Sequence, residues 1–216
     1  MRLPYSTVLF DLDDTLFDFR AAEAAAIRQV LKNNNLPSEE EAVKTYSDIN
    51  LRYWHLFESG EISREQIFTG RFVTLLNTFG INGDAKKLFS EYGALLSMQH
   101  QLVDGAEDIL HYCKGKGYRI YVASNGLSST QYRRIAESGV SEYFDKVFVS
   151  EDSGYKKPER EFFDYIVENG DEKDRSRMLL VGDSQSSDIL GGINACVDTC
   201  WFNPSGKQFY TLLTDL

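Results

Sequence analysis

From Asp104 onward the chain alternates between short apolar runs and amphipathic stretches, and this alternation constrains the fold more than any other feature. Strand patterns over residues 118–123, 147–149 and 178–181 are separated by helical patterns over 105–114, 128–138 and 159–169, the arrangement that builds βαβ units around a parallel sheet. The apolar run at Val8 has strand character too and belongs to the same sheet. Between it and Asp104 the texture is wholly helical. An Ala-rich helix runs from Arg20 to Asn33, and a second opens at Ser38-Glu39-Glu40-Glu41 and continues through Trp54 to near Gly60. Ser63-Arg64-Glu65-Gln66 has the spacing of a capping box for a third, and a fourth starts at Asp84, after a break at Gly80, Asn82 and Gly83. An α/β domain with a helical insertion after its first strand is the expected class.

Chemistry-bearing residues fall where the strands end. Strand side chains alternate faces, so Asp11 and Asp13 leave the first strand on one side unless the chain turns at once. Two carboxylates held that close repel, and a Mg²⁺ ion shared with a substrate phosphate would relieve the repulsion. An acidic turn after an edge strand would look the same in this segment alone. Ser124-Asn125-Gly126 ends the next strand, with the capping-box spacing of a helix start at Ser128 to Gln131, so a hydroxyl would stand beside free backbone N–H groups in an anion site. Lys156-Lys157-Pro158 follows the strand at Val147, and Gly182-Asp183-Ser184 ends the one at Met178, with Asp188 five residues beyond Asp183. Open α/β sheets bind ligands at these carboxyl ends.

This order of motifs resembles the haloacid dehalogenase-like hydrolase superfamily, matched here by Asp11-Leu12-Asp13-Asp14-Thr15, Ser124-Asn125-Gly126, Lys157-Pro158, and Gly182-Asp183 with Asp188. Trp54, Gly60-Glu61-Ile62, Gly70-Arg71-Phe72, Asp174-Arg175-Ser176-Arg177 and residues 187–195 look like the branch of pyrimidine 5'-nucleotidases that act on noncanonical nucleotides. The resemblance implies a Rossmann-like three-layer core over residues 1–16 and 102–216, with a helical cap over 17–101. It implies Asp11 as nucleophile, forming an aspartyl-phosphate, and Asp13 as the acid and base that serves the leaving oxygen and the attacking water. Mg²⁺ would sit between Asp11, the backbone carbonyl of Asp13 and Asp183. Ser124 and the amide of Asn125 would hold the phosphate, and Lys157, rather than Lys156, would supply its positive charge because it abuts Pro158. Thr15 would organise the turn, Asp14 would be solvated, and Asp188 would hold Lys157 or a metal-bound water, or simply cap a helix.

The implied activity is Mg²⁺-dependent hydrolysis of phosphate monoesters, with pyrimidine nucleoside 5'-monophosphates as substrates and sugar phosphates or phosphoglycolate as the alternative. Asp13 argues against a hydrolytic dehalogenase, which needs no acid there. A phosphomutase shares both Asp residues, and a phospho-Asp receiver module shares the ion, hydroxyl and Lys but has no helical insertion. In the cap, Trp54, Gly60, Gly70, Arg71 and Phe72, with Phe17 and Phe19 at its entrance, are expected either to face the base or to fill the helical core.

Composition narrows the partners. With 23 basic and 33 acidic residues the net charge is −10, which disfavours a nucleic-acid polymer but leaves a single phosphate ester within reach of one or two local cations. No 18-residue apolar run or secretory h-region appears, so a soluble, cytoplasmic protein with no membrane partner is expected. Cys113, Cys196 and Cys200 have no disulfide spacing and read as reduced thiols, with buried packing expected for the last two. Gly191 and Gly192 suggest close helix-to-sheet packing beside Asp188 or a plain helix end. The C-terminus departs from such nucleotidases, since Tyr210-Thr211-Leu212-Leu213 stands where a further strand and helix are usual, leaving the sheet edge past the strand at 197–202 open.

Overall fold

The computed structural model describes residues 5–204, and Tyr210 to Leu213 lie outside the described residues. Five strands form one sheet: β1 (Thr7–Phe10), β2 (Arg119–Ser124), β3 (Lys146–Val149), β4 (Met178–Gly182) and β5 (Asp198–Trp201). All neighbours are parallel, in the order β3-β2-β1-β4-β5. β1 is central and wholly buried, which explains its unbroken apolar sequence: a parallel strand covered on both faces has no solvent side to mark with polar residues. Its alternate residues feed separate cores. Val8 and Phe10 pack with Ala106, Leu110, Ile120, Val122 and Ile135, whereas Leu9 packs with Tyr121, Phe162, Phe163, Ile166 and Leu180. Helices α5 (Ala106–Gly115) and α6 (Ser128–Glu137) supply the first layer, and α8 (Arg160–Asn169) and α9 (Leu190–Ala195) supply the second, with a short α7 (Ser150–Ser153) after β3. This is the Rossmann-like three-layer α/β core.

Residues 19–96 form α1 (Phe19–Asn33), α2 (Glu40–Glu58), α3 (Arg64–Phe79) and α4 (Ala85–Leu96), which pack around a core of their own. Tyr46, Phe72 and Tyr92 meet at its centre with ring centroids 5.3 to 5.7 Å apart. Fully burying a side chain such as Phe72 contributes about 1.5–3 kcal/mol, so the layer has its own source of stability. The start of α3 is fixed by the expected capping box: Ser63 Oγ accepts from the Gln66 amide and the Gln66 side chain accepts from the Ser63 amide.

The capping box expected at α6 does not form. The helix begins at Ser128, but its N-cap is Leu127, Ser128 Oγ donates to Asp152, and Gln131 turns its side chain inward. The thiols also differ from expectation: Cys113 is buried, but Cys196 and Cys200 are exposed. Cys196 caps α9 in a left-handed conformation (φ 56°), and Cys200 lies on the edge strand, where no further described strand covers it. Close packing does explain Gly191 and Gly192. A Cβ on Gly192 would fall 2.1 Å from Thr199 Cγ2, and one on Gly191 would meet Phe163 at 3.0 Å.

β2 and β3 extend the sheet on one side of β1 and β4 and β5 on the other, so the chain reverses its direction of travel between β1 and β4. The crevice at the carboxyl ends of these two strands is where such sheets receive ligands. Asp11 and Asp183 are the first residues past them.

Candidate active site

Asp11 is set by the sheet itself, since its amide donates to the Val181 carbonyl at 2.9 Å and so extends the β1–β4 ladder by one residue. Its carboxylate is buried and meets Lys157, whose Nζ lies 2.6 Å from Asp11 Oδ1 and 2.6 Å from Asp188 Oδ1. The Lys157 main chain is pinned in turn by Asn125: Asn125 Nδ2 donates to the Lys157 carbonyl and the Lys157 amide donates to Asn125 Oδ1, both at 2.9 Å. Asn125 is thus placed as a clamp between the β2 loop and the lysine loop. Lys156 points elsewhere, to Glu159 and the face of Phe57.

Asp188 lies in a π-helical turn, Gln185–Ile189, and is fully buried. Its second oxygen accepts from the Ser184 amide at 3.0 Å, while Ser184 itself is the N-cap of the turn. Of the roles expected for Asp188, holding Lys157 is the one this geometry presents. Asp11, Asp183 and Asp188 bring ligand oxygens within 4.8 Å of one another. Asp183 is tied to the edge strand through its carbonyl, which accepts from Trp201 Nε1 at 2.9 Å.

The electrostatics follow from this crowding. Burial pushes the Asp11 carboxyl well above the usual range, Lys157 pulls it down, and Asp188, Asp183 and Asp13 push it up again. Burial alone would lower Lys157, but Asp11 and Asp188 outweigh it and hold the ammonium above the ordinary lysine range. One ammonium faces a buried cluster of carboxylates. The oxygen-only donor set and the remaining negative charge fit a hard divalent cation.

Asp13 takes a different direction from Asp11. The chain turns at once, with Asp14 left-handed (φ 58°) and Phe17 returning to bridge Asp13, and the Asp13 carboxylate is bound by α6. Gln131 Nε2 donates to Asp13 Oδ2 at 2.7 Å and to Ser124 Oγ at 2.9 Å, and Arg134 Nη1 donates to Asp13 Oδ1. Ser124 Oγ also accepts from the Gly126 amide at 3.2 Å. Asp14 is paired with Arg20 at 3.3 Å, and Thr15 is buried within the turn, its amide 3.3 Å from the Leu12 carbonyl. Gln131 and Arg134 are the residues the sequence reading missed. Their three-residue spacing puts them on one face of α6, a signal present in the sequence but masked by the capping-box reading of Gln131.

Beside Asp13 a cavity of about 40 Å³ opens between α6 and the helical layer. Phe19, Trp54, Phe68, Arg71, Phe89 and Tyr92 supply the helical wall. The residues expected to face a base therefore divide. Trp54, Phe19 and Arg71 reach the cavity, whereas Phe17 is fully buried beneath the Arg134 guanidinium and Phe72 fills the helical core. Gly60 is a left-handed turn after α2, and Gly70 admits the Tyr53 ring, which a Cβ would approach to 2.7 Å. The layer is fastened to the core nearby: Arg64 Nη2 donates to Ser150 Oγ at 2.6 Å, and Ser186 Oγ donates to Glu58 at 2.6 Å.

The haloacid dehalogenase-like hydrolase profile matches residues 5–195. The chain belongs to the haloacid dehalogenase-like hydrolases. Within that family this hydrolase stands among the phosphatases. It is 36% identical over 207 residues to the pyrimidine 5'-nucleotidase PynA of Streptococcus pneumoniae, covering 96% of this chain and 87% of that one. To the pyrimidine 5'-nucleotidase YjjG of Escherichia coli it is 32% identical over 206 residues, covering 95% and 89%. The fold matches a crystal structure of the HAD-hydrolase YfnB from Bacillus subtilis bound to magnesium, reported to reveal interdomain movement, with a TM-score of 0.91 at 39% identity over 96% of this chain and 90% of that one. Among the described residues of the hydrolase, no helix is long and apolar enough to cross a membrane.

Proposed function

We propose that this hydrolase is a Mg²⁺-dependent phosphomonoesterase that works through an aspartyl-phosphate on Asp11 and acts on pyrimidine nucleoside 5'-monophosphates. The observation that carries the proposal is the Lys157 ammonium held between Asp11 and Asp188 at the carboxyl ends of β1 and β4, beside a cavity that begins at Asp13. Support for the substrate class comes from the similarity to PynA and YjjG over nearly the whole chain.

A phosphate monoester is inert because its negative oxygens repel nucleophiles, so its cleavage requires charge neutralisation, alignment and a proton for the departing alcohol. In this reading Asp11 attacks phosphorus and the ester P–O bond breaks, leaving phosphate on the carboxyl until water cleaves the acyl phosphate. Lys157 and Ser124, with the Asn125 amide, bind the phosphoryl oxygens. Asp13 gives its proton to the leaving oxygen and later takes one from the attacking water. Its grip by Gln131 and Arg134 keeps it on the cavity side, where the leaving nucleoside would lie. Asp11, Asp183 and the Asp13 carbonyl would hold Mg²⁺, which when bound offsets the charge on the phosphoryl oxygens. Residues 17–101 act as a cap over the core of residues 1–16 and 102–216. Because the cavity is walled by both the helical layer and α6, a cap movement of the kind reported for the YfnB structure would change its size and so the room for a base.

A panel of phosphate esters assayed for released phosphate tests the reading. UMP and dTMP should exceed purine monophosphates, sugar phosphates and phosphoglycolate in kcat/KM, and Asp11→Asn should lose several orders of magnitude of turnover. Preference for a sugar phosphate would overturn the nucleotidase assignment, and near-wild-type turnover by Asp11→Asn would overturn the mechanism.

A further inference from the structure

Arg71 is a buried cation in the helical layer, and burying a charge is costly unless it is paired. It sits on α3 with 4% of its surface exposed, a cation within an apolar helical core. Three rings box its guanidinium, with Tyr92, Phe72 and Tyr46 centroids at 5.0, 5.3 and 5.9 Å. Such contacts hold a guanidinium plane in one orientation. Arg71 Nη1 donates to Asn50 Oδ1, and Asn50 Nδ2 donates to Glu23, which also accepts from Ser47 Oγ at 2.6 Å. Burial pushes the Glu23 carboxyl up, and Ser47, Asn50 and Arg71 pull it back. The chain from Glu23 through Asn50 to Arg71 is therefore one connected network joining α1, α2 and α3.

One member of the network is unsatisfied. Arg71 Nε is buried and has no acceptor, although native interiors pair nearly all such groups. Arg71 also lines the cavity that begins at Asp13. Arg134, on the opposite wall, carries a second buried N–H group without an acceptor, at Nη2. Each arginine already has a carboxylate to offset its charge, Glu23 through Asn50 for Arg71 and Asp13 for Arg134. Two arginines that line the cavity thus each keep one N–H without an acceptor while their charge is already offset, and Tyr92, whose hydroxyl is also unpartnered, lines the same cavity. That combination suits a neutral acceptor better than a second anion, because a further negative group would be buried without a cation of its own. Trp54, with Phe68 and Phe89 stacked at 5.1 Å, gives the same cavity the flat apolar walls that a planar ring requires.

We infer that Arg71 is a specificity-determining residue, whose Nε–H donates to a ring carbonyl of the substrate's base while the phosphate is held at the strand ends. The inference rests on the nucleotidase reading and deepens it, by assigning the recognition of the base to one buried arginine of the cap. Asn50 and Glu23 act through Arg71, as positioning residues that fix the direction of its free N–H.

The test compares UMP with ribose 5-phosphate, which keeps the sugar and phosphate but has no base. Arg71→Met preserves the unbranched stem and removes the donors. It should lower kcat/KM for UMP by about 10- to 100-fold and leave ribose 5-phosphate within about twofold. Uridine, which has a base but no phosphate, should inhibit the wild type competitively and inhibit the variant at least about tenfold more weakly. If Arg71→Met does not fold, the same measurements on Glu23→Gln/Arg71→Met, which leaves no uncompensated carboxylate, decide the matter. Equal losses on both esters would assign Arg71 a structural role, and an unchanged UMP rate would remove it from recognition; either result overturns the inference. Failure of the nucleotidase reading appears separately, in the wild type, as a kcat/KM for UMP no higher than for ribose 5-phosphate.

Discussion

The Asp188 carboxylate occupies the space that a side chain on Gly182 would need: a Cβ there would lie 2.2 Å from Asp188 Oδ2 and 2.3 Å from its carboxyl carbon. The last residue of β4 must therefore be glycine for Asp188 to reach both Lys157 and the Ser184 amide. Gly182→Ala should cost about 1–3 kcal/mol by overpacking and displace Asp188 from Lys157. Thermal unfolding and phosphate release measured together check this, and a variant with wild-type melting and turnover would contradict it.

The two lysines before Pro158 have different surroundings, one held between two buried carboxylates and the other, half-buried, held to Glu159 and over the Phe57 ring. Removing Lys157 should cost about 2–5 kcal/mol of transition-state stabilisation, the scale of a buried charge pair, whereas Lys156 should cost less than about 1 kcal/mol. Parallel kcat/KM values for Lys157→Ala and Lys156→Ala are the measurement. A larger loss at Lys156 would reverse the assignment.

Arg134 should matter to the proton-transfer steps through Asp13. Arg134→Lys keeps a charge but loses the planar fork that serves Asp13 and the Gln99 carbonyl together. Its effect on kcat should be large in the wild type and small in an Asp13→Asn background, a coupling of about 0.5–3 kcal/mol in a double-mutant cycle. Additive losses would show that Arg134 acts on the fold at large.

Metal removal gives an outcome independent of turnover. A cation that binds only the folded protein stabilises it by mass action, so Mg²⁺ should raise the Tm and EDTA should reverse the rise while abolishing phosphate release. Asp183→Asn should shrink that shift. A Tm indifferent to Mg²⁺, with full activity in EDTA, would exclude the proposed ion.

The sequence by itself determined the alternation of strands and helices, the helical insertion and the placing of Asp11, Ser124, Lys157 and Asp183 at strand ends or in the loops beside them. Those features are local: periodicity fixes an element, and an element's end fixes where its next residue can point. What local pattern could not decide was which long-range partner a polar side chain would take. Gln131 carried the spacing of a cap, yet it turned inward because half-buried Asp13 and buried Ser124, brought together by the β1–β2 pairing, offered acceptors that the exposed helix end did not. Phe17 and Phe19 are two residues apart, but the turn after Asp13 put one in the core and the other on the cavity wall. The choice of Asp188 as the partner of Lys157 depended on a glycine six residues earlier and on a π-helical turn, neither of which periodicity reveals. Charge balance in a buried site depends on every carboxylate and cation that folding gathers there, so it could be settled only once the tertiary structure had gathered them.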